Sequence, residues 1–329
     1  MAVAGASKEE RKERVVKFGI QINPYFPGPT GNAWDAVECA ARAIDRSRFD
    51  SLWLYDHLLY EGGYGGHPVT EPVLECFTAL GAIAAITSRV KLGQLVLGTP
   101  YRNPALTAKM ATTLDVISRG RSILGIGAGW HQREYEAYGF GDFEEVPVRM
   151  KRLEEAVRLA LAFWTERPAS FEGRYYRLDQ AHENPDPVQK PHPPILIGGS
   201  GEKVTLRLVA QYAQYCNIGG DVDTVERRFG ILREHCERLG RSYEAITKSV
   251  YTTLIVGRTE ADVARKREKW ADYVPKSGAI IGTPKQVTDA LGAYARVGCQ
   301  YVIYRTPDWM DPEAINVFSE DVIPALVSA

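Results

Sequence analysis

The feature that most constrains this chain is a rhythm of eight short apolar runs, each followed by sequence of helical period. The runs are 15–22, 51–55, 90–97, 122–127, 195–197, 215–218, 246–256 and 301–304. Several are apolar without alternation, as expected of strands buried on both faces. Stretches such as 33–46, 104–117, 223–239 and 285–296 carry helical periodicity between them. Strand and helix in strict alternation build parallel β/α units, and eight such units close a barrel. The expected fold is therefore a (β/α)8 TIM barrel. An open doubly wound sheet with a second domain would need a linker or a shift in composition, and the sequence has neither. One domain over 15–329 is expected, preceded by a disordered charged tail over 1–14. An insertion over about 131–193 separates strands four and five. It carries a periodic helix over 148–166, a small hairpin over 171–176 and a Pro-rich extended stretch over 184–194.

In such barrels the site lies at the C-terminal ends of the strands. That rule selects Asn23 and Tyr25, Asp56 and His57, the stretch 95–99 with Leu95, Val96 and Gly98, then Gly129, Trp130 and His131, and Arg305. It also selects Gly198, Gly199, Ser200 and Gly201, which sit between an apolar strand and a helical period at Val204, Leu208 and Tyr212. A Gly-rich strand-to-helix turn aims backbone N–H groups and a helix's positive end at one point, which suits a phosphate. Missing Cβ atoms let the backbone approach the anion. A Gly-rich turn that binds nothing is the plain alternative. The turn is neither a Walker A loop nor a G-x-G-x-x-G fingerprint. No His and carboxylate cluster has metal-ligand spacing, no G-x-S-x-G elbow occurs, and paired carboxylates for glycoside hydrolysis are not evident. What remains is aromatic, apolar and amide-rich, a lining for a flat bound cofactor. A net charge of −1 with interleaved signs points to neither nucleic acid nor membrane. Five scattered cysteines without C-x-x-C fit reduced thiols in a cytoplasm. No apolar run reaches membrane-spanning length, and the charged N-terminus lacks the apolar core of a signal peptide.

Several motifs in order carry a family resemblance. They are Leu92-Gly93-Gln94-Leu95-Val96-Leu97-Gly98-Thr99-Pro100-Tyr101-Arg102-Asn103-Pro104-Ala105, then Lys109-Met110-Ala111 and Leu114-Asp115, then Gly120-Arg121. Leu124-Gly125-Ile126-Gly127-Ala128-Gly129-Trp130 follows, with Glu134, Tyr138-Gly139, and Pro194 to Gly201 with Glu202, Lys203 and Leu206. Over residues 15 to about 305 the chain resembles the bacterial luciferase-like flavin/deazaflavin superfamily, and most of all its coenzyme F420-dependent branch. The resemblance implies a (β/α)8 barrel with insertions, a homodimer, and F420 or FMN at the barrel mouth. It implies a phosphate at Gly198, Gly199, Ser200 and Gly201, and a non-prolyl cis peptide at Leu95–Val96 backing the ring. It implies that His57 is an acid/base or ring-contacting group. Trp130 stands where some F420 enzymes carry a catalytic Glu, which argues against sugar-phosphate oxidation and for stacking.

Each assignment has a plainer counterpart. His57 could fix the strand end through a backbone carbonyl, Asp56 could orient His57 or cap a loop, and Trp130 could be core. Arg102, Arg133 and Lys203 could be solvated charges, or could face the acidic tail of F420. The glycines over 62–66 with His67 read as a flap. Three functions follow: hydride transfer between F420 and a small organic substrate, an FMN-dependent monooxygenase using O2, and a flavin-binding protein without turnover. The substrate pocket would be lined by Asn23, Tyr25, Trp130 and His131.

Overall fold

A computed structural model describes residues 16–22, 32–59, 72–275 and 278–327. The expected tail over 1–14, Asn23, Tyr25 and the flap with His67 lie outside the described residues. Eight parallel strands close on themselves: β1 (Lys17–Ile22), β2 (Ser51–Leu54), β3 (Lys91–Gln94), β4 (Ser122–Gly127), β5 (Ile195–Gly198), β6 (Tyr215–Ile218), β7 (Thr247–Val256) and β8 (Tyr301–Arg305). Closure is made by β8 pairing with β1 in register Lys17↔Tyr301, with Gly19 opposite Ile303. Helices of the outer ring cover the sheet, so the strands are buried on both faces, as their unalternating apolar sequence requires. The chain is thus the expected (β/α)8 barrel.

The barrel floor is plugged, which leaves the opposite end for a site. Trp53 of β2 is fully buried, and it fits because its two neighbouring strands present glycine to it. A Cβ on Gly19 would lie 2.7 Å from Trp53 Nε1, and one on Gly93 would lie 2.4 Å from Trp53 Cζ3. Leu95, Ile123, Leu196, Tyr215, Tyr301 and Ile303 complete this inner cluster.

The third strand departs from expectation. Instead of running to Leu97 it stops at Gln94, and the Leu95–Val96 peptide is cis. The chain rejoins the sheet at Leu97–Gly98, now paired with β4 through Leu97↔Ile126. Gly125 accommodates the detour: a Cβ there would stand 1.8 Å from the Gln94 carbonyl oxygen.

Other boundaries moved for local reasons. After β2 a helix begins at Cys76 and not at Pro72, because Glu75 caps it by accepting from the Phe77 and Thr78 amides. Asn103 caps the helix Pro104–Ile117 with Pro104 in its first turn, as its sequence predicts. A ninth parallel strand, Ala279–Gly282, went unread; it pairs with the outer half of the ten-residue β7, whose inner half pairs with β6 and β8. Its intermediate burial fits a strand beside the barrel wall. In the expected insertion, the helix Val146–Thr165 packs against Pro104–Ile117 and Thr205–Tyr212, in the outer ring itself. The interruption proper is a short helix, Gln132–Tyr138, before it and a hairpin after it. That hairpin pairs Ala169–Glu172 with Arg177–Ala181, so 173–176 form its turn. The C-terminal helical segment is divided by a π-turn at Phe318–Val322.

Candidate active site

A cavity of about 570 Å3 opens at the C-terminal rim of the barrel. Asp56, His57, Leu95, Val96, Gly98, Gly129, Trp130, Gly198 and Gly199 all line it. Strand ends brought these residues together, as the barrel rule requires.

One wall is the cis Leu95–Val96 segment. Val96 is wedged between two glycines: a Cβ on Gly127 or on Gly198 would lie 2.7 Å from its methyl groups. A directed hydrogen-bond chain holds the segment from behind. Gln21 Nε2 donates to the Leu95 carbonyl at 2.8 Å, and Tyr251 donates to Gln21 Oε1. Tyr251's hydrogen being spent there, Tyr55 donates to Tyr251 at 2.7 Å, and Arg305 Nη1 reaches Tyr55 at 3.4 Å. Asp56 secures the other side. It accepts from the Gly98 amide at 3.0 Å and takes a bidentate pair from Arg102 at 2.9 and 2.8 Å. Arg102 also pairs with Glu75 at 2.6 Å. Burial disfavours the guanidinium's charge, but the two carboxylates more than offset it and raise its pKa. Asp56 therefore braces the 97–98 turn, and Arg102 is a buried structural cation.

His57 sits at the mouth. Its Nδ1 lies 3.0 Å from Glu134 Oε2, and its ring meets Trp130 edge-on at 5.4 Å. Glu134 is fully buried and also receives the Tyr101 hydroxyl and the amides of Leu58 and Leu59, the latter two at 2.6 and 3.2 Å. Burial works against its ionisation, yet His57, Tyr101 and Leu58 hold its pKa below the ordinary value. Trp130 lines the cavity but is 70 % exposed, so it stands at the lip and is not core. His131 lies off the wall. It is buried at the start of helix Gln132–Tyr138, with its ring 4.9 Å from Trp130 and 5.5 Å from His57.

The glycine-rich turn after β5 forms another part of the cavity wall. The helix after the glycine turn begins at Thr205, where the sequence period places it, and no side chain caps it. Gly198, Gly199 and Thr205 line the cavity there, whereas Ser200 and Gly201 do not. The Gly201 carbonyl turns into the helix start, accepting from Leu206 N–H at 3.0 Å. Gly199, at φ +132°, makes the bend that other residues resist. Arg149, on helix Val146–Thr165, also lines the cavity. It is only 8 % exposed, and its guanidinium bonds the carbonyls of Glu144 and Gly129, with no carboxylate partner among the described residues. A buried cation held by carbonyls, in a cavity that an uncapped helix start also lines, suits an anionic group.

Glu134 and Arg149 escape the strand-end rule because both sit on helices, Glu134 on Gln132–Tyr138 and Arg149 on the outer-ring helix Val146–Thr165. A charge at helical spacing reads first as a solvated face, and only the fold turns these two inward. Among the described residues no group of three His, Cys, Asp or Glu could hold a metal ion, and no helix is long and apolar enough to cross a membrane.

An eight-stranded parallel barrel with a cavity at its C-terminal rim is the architecture of a (β/α)8 enzyme. The chain belongs to the luciferase-like monooxygenase family, whose model matches residues 16–279, and within it to the F420-dependent branch. An F420-dependent glucose-6-phosphate dehydrogenase of Kineococcus radiotolerans is 30 % identical over 94 % of this chain and 97 % of its own. An FMNH2-dependent dimethylsulfone monooxygenase of Pseudomonas putida is 25 % identical over 86 % and 85 %. The coenzyme F420-dependent tetrahydromethanopterin reductase of Methanopyrus kandleri superposes with a TM-score of 0.77 at 21 % identity, covering 94 % of this chain and 99 % of that one.

Proposed function

We propose that this protein is a coenzyme F420-dependent oxidoreductase acting on a small organic substrate. The observation that carries the reading is the cavity itself, with a braced wall on one side, a glycine-rich turn, a buried arginine and a histidine at its mouth. Its volume falls in the range that buries a cofactor-sized ligand. The deazaflavin would supply the hydride chemistry, giving or receiving hydride at its C5 carbon. The chain's own residues do the rest. Gly198, Gly199, Thr205 and Arg149 would hold the phosphate. The Leu95–Val96 segment, fixed by Gln21 and by Asp56, would support the ring from behind. His57 would exchange the proton that accompanies hydride transfer at the substrate oxygen. Trp130, beside His57 at the lip, would close one side of the substrate pocket. An aromatic lip in place of a carboxylate favours a substrate other than a sugar phosphate. The protein would act as a homodimer.

Titration of the apo-protein with F420 and with FMN, followed by tryptophan quenching, tests the cofactor. Tighter binding of F420 is expected; tight binding of FMN with weak or no binding of F420 would transfer the reading to the FMN-dependent, O2-using alternative. Replacement of His57 by Asn is expected to lower kcat by about 10²–10⁴, the usual scale of acid–base catalysis. Unchanged turnover by His57→Asn would remove it from the mechanism, and turnover with neither cofactor would leave a flavin-binding protein.

A further inference from the structure

We infer that Glu134 is a positioning residue that sets the tautomer of His57, placing the proton on Nδ1 so that Nε2 is the nitrogen that exchanges a proton with the cavity. The inference rests on the reading of His57 as the proton-exchanging group.

The geometry permits one arrangement. Glu134 is fully buried on helix Gln132–Tyr138. Its Oε1 faces two backbone donors, the amides of Leu58 and Leu59, at 2.6 and 3.2 Å. Those N–H groups belong to the chain just after β2 and cannot turn away. Its Oε2 faces His57 Nδ1 at 3.0 Å and accepts from the Tyr101 hydroxyl. Every close polar neighbour is thus a donor or, in the case of Nδ1, becomes one only when protonated. A carboxylate ringed by donors has no hydrogen to give, so the hydrogen between it and His57 must sit on Nδ1. Tyr101 is kept a donor because burial, and then the Glu134 carboxylate, raises the pKa of its phenol. The same groups tie the histidine-bearing segment 57–59 to helix Gln132–Tyr138, which also carries the tie from Tyr138 to the Leu58 carbonyl at 2.9 Å. Glu134 therefore sets where His57 stands as well as which nitrogen carries its proton.

The isosteric change Glu134→Gln distinguishes this from mere support. The amide oxygen must take the Oε1 place, since the Leu58 and Leu59 amides need an acceptor. The amide NH2 then faces His57 Nδ1, which can no longer be a donor. Tyr101 can rotate its hydroxyl to accept. His57 is left to carry its proton on Nε2, the opposite tautomer.

The test uses protein labelled with nitrogen-15 histidine and a long-range proton–nitrogen correlation spectrum, with His57 assigned by comparison with His57→Asn. The wild type is expected to show a protonated Nδ1 and a bare Nε2 in the neutral ring, and Glu134→Gln the reverse. With an acceptor the wild type turns over, Glu134→Gln is expected to lower kcat by roughly 10-fold or more while KM and cofactor affinity stay within about 2-fold. Glu134→Asp, which keeps the charge, should recover part of the loss. A neutral wild-type ring protonated on Nε2, or one in an even mixture, overturns the inference without any variant. So does a Glu134→Gln spectrum in which Nδ1 stays protonated. The spectrum and the His57→Asn turnover fail independently: the first concerns Glu134, and the second the role of His57.

Discussion

At the scale of single residues, glycines decide the shape of the site, and their surroundings predict substitutions of opposite sign. An alanine methyl at Gly125 would meet a backbone carbonyl oxygen at 1.8 Å, which no rotamer relieves. Gly125→Ala is expected to cost about 3 kcal/mol, the upper part of the range for overpacking. The same methyl at Gly198 would meet the Val96 side chain at 2.7 Å, and a side chain can tilt. Gly198→Ala should cost roughly 1 kcal/mol in stability and weaken cofactor binding more visibly, because Val96 is displaced into the cavity. Gly230, within helix Val222–Leu239, has open space where its Cβ would be. Gly230→Ala should stabilise by about 0.5–1 kcal/mol through helix propensity and the unfolded chain's lost freedom. Urea unfolding of the three variants checks the ordering, and a loss at Gly230 would contradict it.

At the scale of elements, the proposed phosphate site would draw on the end of β5, the start of Thr205–Tyr212 and the start of Val146–Thr165, all of which line the cavity. Its helix dipole contributes only about 0.3–1 kcal/mol, while a hydrogen bond to a charged group is worth about 1.5–3 kcal/mol. Arg149 should therefore dominate. Arg149→Met keeps much of the apolar stem and is expected to weaken F420 binding roughly 10- to 150-fold. The dephosphorylated, riboflavin-like fragment of the cofactor should bind wild type and variant alike by fluorescence titration. Equal losses for both ligands would mean that Arg149 acts through packing alone. These elements also show what was legible in the sequence. Strands read well because burial on both faces writes itself as an apolar run, and their C-terminal ends gave His57, Asp56, Gly98 and Gly198 directly. Arg149 and Glu134 were illegible as site residues because helix charges point inward or outward only according to the fold. Ser200 and Gly201 enter the phosphate assignment as members of the Gly-rich turn, but they do not line the cavity. The chain takes one more turn before Thr205. The Leu95–Val96 cis bond was accessible only through family resemblance, since no local propensity marks it.

At the scale of the whole molecule, one face of the barrel is unlike an ordinary solvated surface. The helix Cys76–Ile86 contains no charged residue, and its outward positions are Thr78, Gly81, Ala82 and Ala85. Its neighbour Pro104–Ile117 exposes Leu106, Thr113, Val116 and Ile117. A helix apolar all round is normally buried, and here the barrel covers only the inner side. The small outward residues let another helix approach closely, and a Cβ on Gly81 would meet nothing within 4 Å. In the proposed homodimer a two-fold axis would set the same small-residue stripe against itself and bury the flanking Leu106 and Ile117 on both sides. The proposed homodimer would then be a bundle of four helices between two barrels, with each rim cavity left open. Light scattering coupled to size exclusion should give twice the 36.6 kDa chain mass. Ala85→Glu places two like charges near the axis in a desolvated contact, and should yield a folded monomer at micromolar concentration. Ala85 is exposed within one chain, so the substitution leaves the barrel's own core untouched, and unchanged circular dichroism should accompany the halved mass. A dimer that persists with Ala85→Glu would put the interface elsewhere.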